Sequence, residues 1–171
     1  MTIALSQIFK GSTAQAFRGL TTILTRAKAA AEAAGTADEA YLGARLFPDM
    51  NDLKWQVQMI TEFAVRGAAR MTGTAPDALP NLPMEGESFD ALIERVAECA
   101  EKVAAADEAA IDGNADMKIT MPVGPEQTME LDGQTYVLSF FLPNLFFHIT
   151  TAYNLLRMQG VAIGKRDFMG M

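Results

Sequence analysis

Asn144, His148, Thr151 and Leu155 follow one another at spacings of four, three and four residues, the repeat that puts side chains on one face of an α-helix. His148 is the only histidine in the chain. A second row, Asp49, Leu53, Gln56, Ile60 and Phe63, sets a carboxylate and an amide on a mainly apolar stripe. If the two rows face each other, His148, Asn144, Asp49 and Gln56 line one end of a helical interior. Imidazole and carboxylate are ready ligands for a divalent metal, and amide carbonyls much weaker ones. A His-rich zinc site is therefore excluded, and a metal held by His148 and Asp49 would need water or substrate to complete its coordination. Without metal, the same residues can line a ligand pocket, or His148 can be a neutral core ring satisfied by one hydrogen bond. Asp49 can equally be the N-cap of the helix that follows, with Asp52 three positions on.

Tyr153 and Arg157 form a further pair four residues apart, on a row with Phe146 and Thr150. A cation in the last helical turn is favoured by the helix dipole. Arg157 could also join Lys165 of "GVAIGKRDF" in holding a small anion, a carboxylate or a phosphate. The aromatic residues Trp55, Phe140, Phe141, Phe146, Phe147 and Tyr153 suit packing in a core or interface, and the eleven methionines suit core filling, with Met169 and Met171 in an exposed tail.

Periodic apolar positions supply the elements that must carry these residues. Ile8, Phe17, Leu20, Leu24, Ala27 and Ala31 recur at helical steps between Ile3 and Ala34 and stop at Gly35. After a loop with Gly43 and Pro48, a second stripe runs through Leu53, Val57, Ile60, Ala64 and Met71 and ends near Gly73. Pro76, Pro80 and Pro83 make the next stretch an extended connection. Ser88 is placed to cap a third helix with an apolar side of Phe89, Leu92, Val96, Cys99 and Val103, and Glu94, Glu98, Glu101 and Lys102 opposite. Cys99 then reads as an inert buried thiol. "KITMPV" and "TMELDGQTYVL" predict a small β insertion with Asp132-Gly133 as its tight turn. The last helix is expected to enter near Ser139 or Pro143 and to leave at Gly160. Four amphipathic helices with a β-hairpin between the third and fourth predict an all-α four-helix bundle, a single domain over residues 1–171.

Composition narrows the partners. Net charge is -7, with an isoelectric point near 4.7, which opposes nucleic-acid binding. Ten acids face only Arg95 and Lys102 between Glu85 and Asp116, whereas Arg157 to Met171 holds three bases and one acid, the end best suited to a small anion. One cysteine allows no internal disulfide, and no apolar run reaches the roughly 18 residues of a membrane span. The expectation is a cytoplasmic protein with no membrane or nucleic-acid partner.

"ARLFPDMNDLKWQVQ", "FFLPNLFFHITTAYNLLRMQGVAIGKRDF" and the proline-rich link between them together resemble a bacterial family of unknown function, DUF1993, grouped with the DinB-like or YfiT-like metalloenzyme bundles. The resemblance covers nearly the whole chain and implies a DinB-like four-helix bundle, expected as a homodimer. Such enzymes typically hold a divalent metal with three histidines, one on the second helix and two spaced by four on the last, and several act in thiol transfer. By that resemblance His148 matches the second histidine of the last-helix pair and Asn144 stands where the first would be. The second-helix histidine has no counterpart, Asp49, Asp52 and Gln56 being the nearest polar residues. Three readings stay open. One is a small-ligand pocket built on His148, Gln56, Asn144, Tyr153 and Arg157 without a tightly bound metal. The second is a divergent metal-dependent enzyme, hydrolytic or thiol-transferring, on His148 and a helix-two carboxylate such as Asp49. The third is a structural subunit of a larger assembly.

Overall fold

A computed structural model describes residues 3–122, 124 and 127–171. It is mostly helical, with one small antiparallel sheet. Helix α1 spans Leu5–Ala34, α2 Asp38–Leu42, α3 Leu53–Met71, α4 Phe89–Ala104 and α5 Glu108–Gly113. Strands β1, Lys118–Pro122, and β2, Thr128–Asp132, follow, and then α6 Gly133–Thr135, a π-helical segment Tyr136–Phe141, α7 Leu142–Met158 and α8 Lys165–Phe168. Helices α1, α3 and α4 match the three apolar stripes, and α7 carries the row from Asn144 to Leu155. The short helices α2, α5, α6 and α8 add to that expectation, as does a 3-10 turn at Pro76–Ala78 within the proline-rich link.

Helix α1 packs on α4 and α7, and α3 packs on the same two, so the core lies among all four. On α4 the stripe Phe89, Leu92, Val96, Cys99 and Val103 is buried, as its spacing requires, and Ser88 caps the helix by accepting from the Ala91 amide at 3.2 Å. Each such large side chain taken fully out of water contributes about 1.5–3 kcal/mol. Cys99 lies in this stripe, and desolvation pushes its thiol above the ordinary range, consistent with an unreactive group. Near the other end of the chain, α8 docks on α1 at Gly19, where any side chain would overlap the Phe168 carbonyl.

Two local expectations are corrected. Asp52, not Asp49, caps α3, accepting from the Trp55 amide at 2.9 Å; Asp49 lies exposed in the preceding loop. The dipeptide Asp132-Gly133 is not the hairpin turn. The pairing Lys118↔Asp132 through Pro122↔Thr128 puts the turn between residues 122 and 128, and Val123 of "KITMPV" falls outside the described residues. Asp132 instead ends β2 and caps α6 through the Thr135 amide at 2.7 Å, while Gly133 is needed because a Cβ there would collide with the Asn114 carbonyl.

Helix α7 begins at Leu142 with Pro143 in its first turn, as expected, but helical backbone already runs into it from Gly133 through α6 and the π segment. The π segment is wound more widely, with the Leu142 amide bonded to the Val137 carbonyl five residues back. Pro143 comes immediately after, with no amide hydrogen to give and a ring that crowds the carbonyl four residues earlier. A π-type turn at that place relieves the conflict. The hairpin meanwhile lays Ile119 and Met121 inward and Lys118, Thr120 and Pro122 outward, the alternation of a strand covering a core on one face.

Candidate functional site

Helices α3 and α7 pack directly against each other, and this brings two of the residues singled out in the sequence into contact. The Oε1 atom of Gln56 lies 2.8 Å from His148 Nδ1, and both residues are buried. The Nε2 atom of Gln56 donates to the Asn51 carbonyl at 3.1 Å. That second bond fixes which end of the amide is which. Oxygen must face the ring, so Nδ1 carries the proton and Nε2 keeps a lone pair, a tautomer assigned from the hydrogen-bond pattern. Nε2 has no partner among the described residues and is not one of their fully buried unpartnered atoms, so it lies on the exposed edge of the ring.

Aromatic groups enclose the rest of the imidazole. Phe63 stacks on it at 5.6 Å between ring centres and 24° between planes. Trp55 meets it edge-on at 5.4 Å and Phe147 at 5.3 Å. In this setting desolvation holds the imidazole well below its ordinary pKa, at about 4. It is a neutral ring at physiological pH, an acceptor at one nitrogen and a weak base. Phe63 was legible only as part of an apolar row, and its contact with the histidine was not.

The other expected site residues are placed differently. Asn144, half-buried, turns its amide back to the Phe140 carbonyl at 2.7 Å. Tyr153 packs edge-on against Phe168 at 5.9 Å, and the exposed Arg157 donates to the Val161 carbonyl at 3.1 Å. Asp52 is occupied by its cap and by an ion pair with Arg45 at 3.5 Å. Among the described residues no three His, Cys, Asp or Glu side chains are grouped to hold a metal. One imidazole nitrogen with an amide already committed does not fit the three-nitrogen chemistry of a DinB-type centre.

Sequence reasoning missed a second polar group on α3. Arg66 and Arg70, one turn apart, border a cleft of about 230 Å3 beside β1 and the π segment, and Tyr136 is completely buried next to them. The spacing of the two arginines was the available signal. A larger groove, about 640 Å3, runs between α1 and α4 and is lined mainly by alanines, threonines and apolar side chains, with Lys10 and Arg18 on its border.

Comparison with known proteins agrees with this architecture. The family model described as Domain of unknown function (DUF1993) matches residues 7–169. No curated protein matches the chain. Among solved structures, the crystal structure of a DinB family member protein from Shewanella denitrificans is similar, at 31% sequence identity and a TM-score of 0.87, over 98% of this chain and 92% of that one. No helix among the described residues is long and apolar enough to cross a membrane. An interrupted last helix, a buried histidine on it and a small antiparallel hairpin ahead of it thus sit on a scaffold already seen in a DinB protein, and the chain belongs to the DUF1993 family within the DinB-like superfamily.

Proposed function

We propose that this protein is a DinB-like four-helix bundle, a single domain over residues 1–171 acting as a cytoplasmic homodimer, that binds a small molecule at the exposed edge of His148 without a tightly held metal. The observation that carries the reading is the Asn51–Gln56–His148 chain. It holds Nε2 as a hydrogen-bond acceptor inside an aromatic wall of Trp55, Phe63 and Phe147. Aromatic side chains around one oriented polar atom are the kind of lining that small-molecule sites use. A pKa near 4 leaves the ring a poor general base at neutral pH, where a catalytic base works best near the ambient pH. That favours recognition over proton abstraction. The ligand it suits presents a hydroxyl, amide or thiol hydrogen to Nε2.

A thermal-shift screen of metabolites, anions and thiols tests the reading. Compounds that raise the melting temperature of the wild type and fail with His148→Ala support it. If nothing stabilises the wild type, and His148→Ala changes only the melting temperature, the binding role is lost. Elemental analysis of protein purified without chelators separates the metal-dependent alternative on His148 and Asp49: near-equimolar metal, absent from His148→Ala, would replace this reading. Light scattering checks the dimer.

A further inference from the structure

The cleft beside β1 has the makings of a second site, which shares one wall, Phe63, with the surroundings of His148. Arg66, Arg70 and the carboxylate of Glu62 face it from α3, and its apolar walls are Met59, Phe63, Met121, Pro122 and Phe140. Two guanidinium donors, Arg66 Nε and Arg70 Nε, are buried here with no acceptor among the described residues, and the Tyr136 hydroxyl behind the cleft meets only the Arg70 guanidinium, itself a donor group. Buried polar groups are rarely left unanswered, and where several donors are, an ion or water is the usual explanation.

The donors belong to one cluster. The Arg70 guanidinium carbon is 5.9 Å from the centre of the Tyr136 ring, and Tyr136 stacks on Phe140, a wall of the cleft, at 5.7 Å. Tyr136 is fully buried. Burial pushes its phenol up although Arg70 and Arg66 draw it down, so the hydroxyl remains a donor at neutral pH. Arg66 is paired with Glu62 at 2.9 Å, whereas Arg70 has no carboxylate partner among the described residues. Two guanidiniums and one carboxylate leave a single positive charge at the cleft.

We propose that this cleft binds a small monocarboxylate with an apolar body, the carboxylate held by Arg70 and Arg66 and the body lying against Phe63, Phe140 and Met121. The planar fork of a guanidinium matches a carboxylate in a way a point charge does not. The net charge matches a monoanion better than a phosphate. A volume of about 230 Å3 lies below the roughly 300–1,000 Å3 of sites for drug-sized molecules, which limits the ligand to the scale of a branched short-chain acid or benzoate.

Calorimetric titration of the full chain with benzoate, isovalerate, benzamide and inorganic phosphate tests this. A carboxylate should bind saturably, with benzamide and phosphate at least about ten-fold weaker, since a hydrogen bond to a charged group is lost or mismatched. Arg70→Gln should weaken the carboxylate roughly ten- to hundred-fold, and Arg70→Lys, which keeps charge and loses the fork, should fall between. Lys102→Gln, a change of equal charge at an exposed site on α4, should leave affinity as it was. No saturable binding of either acid by the wild type overturns the proposal. Equal affinity in folded Arg70→Gln and Arg70→Lys overturns it as well, and tighter binding of phosphate than of benzoate overturns the ligand class.

Discussion

Two polar clusters are anchored on α3, and they are treated in opposite ways. At the end near Asp52, His148 and Gln56 answer each other, and the spare hydrogen of Gln56 goes to a backbone carbonyl. Three turns further along, Arg66 Nε and Arg70 Nε come together beside Tyr136 with no acceptor of their own among the described residues. A satisfied buried pair adds rigidity, while an unsatisfied one costs stability until a partner arrives. The first arrangement therefore orients one atom for recognition. The second is better described as an incomplete contact.

Acid should produce the largest separation between the two. The imidazole of His148 is held near pKa 4 in the folded protein and recovers its ordinary value of 6.5 on unfolding. Below pH 6.5 the unfolded chain takes up a proton that the folded chain refuses, so stability falls with pH until about 4, by up to about 3 kcal/mol. Urea unfolding of wild type and His148→Phe at pH 7 and pH 4.5 measures it. The histidine-dependent part of the decline should vanish in the variant. An equal decline in both would mean that His148 is not neutral and buried.

Next in size is Gln56→Leu, which strips both the His148 Nδ1 hydrogen and the Asn51 carbonyl of their partner and should cost about 1–3 kcal/mol in denaturant midpoint experiments. A smaller loss would mean that water reaches the pair. Gln56→Glu keeps an acceptor and adds a negative charge, and NMR titration of the imidazole should show the pKa moving up from about 4. Smallest is Tyr136→Phe, expected to cost about 1 kcal/mol or less, because the only group its hydroxyl meets is the Arg70 guanidinium. A cost matching that of Gln56→Leu would show that the phenol is answered after all, and the contrast between the two regions would disappear.

Much of the scaffold was readable because it depends on repeat. The stripe from Phe89 to Val103 with its Ser88 cap follows from spacing and one hydroxyl, whereas the facing of Gln56 and His148 was only a condition, because spacing within each helix does not set the register between two helices. What escaped was set at a distance. Asp132-Gly133 carries the local mark of a hairpin turn, yet Gly133 is required by the Asn114 carbonyl, far back in the chain. Both Asp49 and Asp52 are suitable caps, and only the path of the loop chooses between them. The π segment leaves no apolar period of its own. Tyr136 was read as part of a strand-like run, so it was never set beside Arg66 and Arg70.

The close seat of α8 on Gly19 bears on how the chain is made. Helix α1 is synthesised first and also packs on α4, α7 and α8, all of which are made later. At about 5–20 residues per second, its apolar face waits on the order of ten seconds for its last partner to leave the ribosome. A newborn α1 is thus a natural client for a chaperone until α8 has been made.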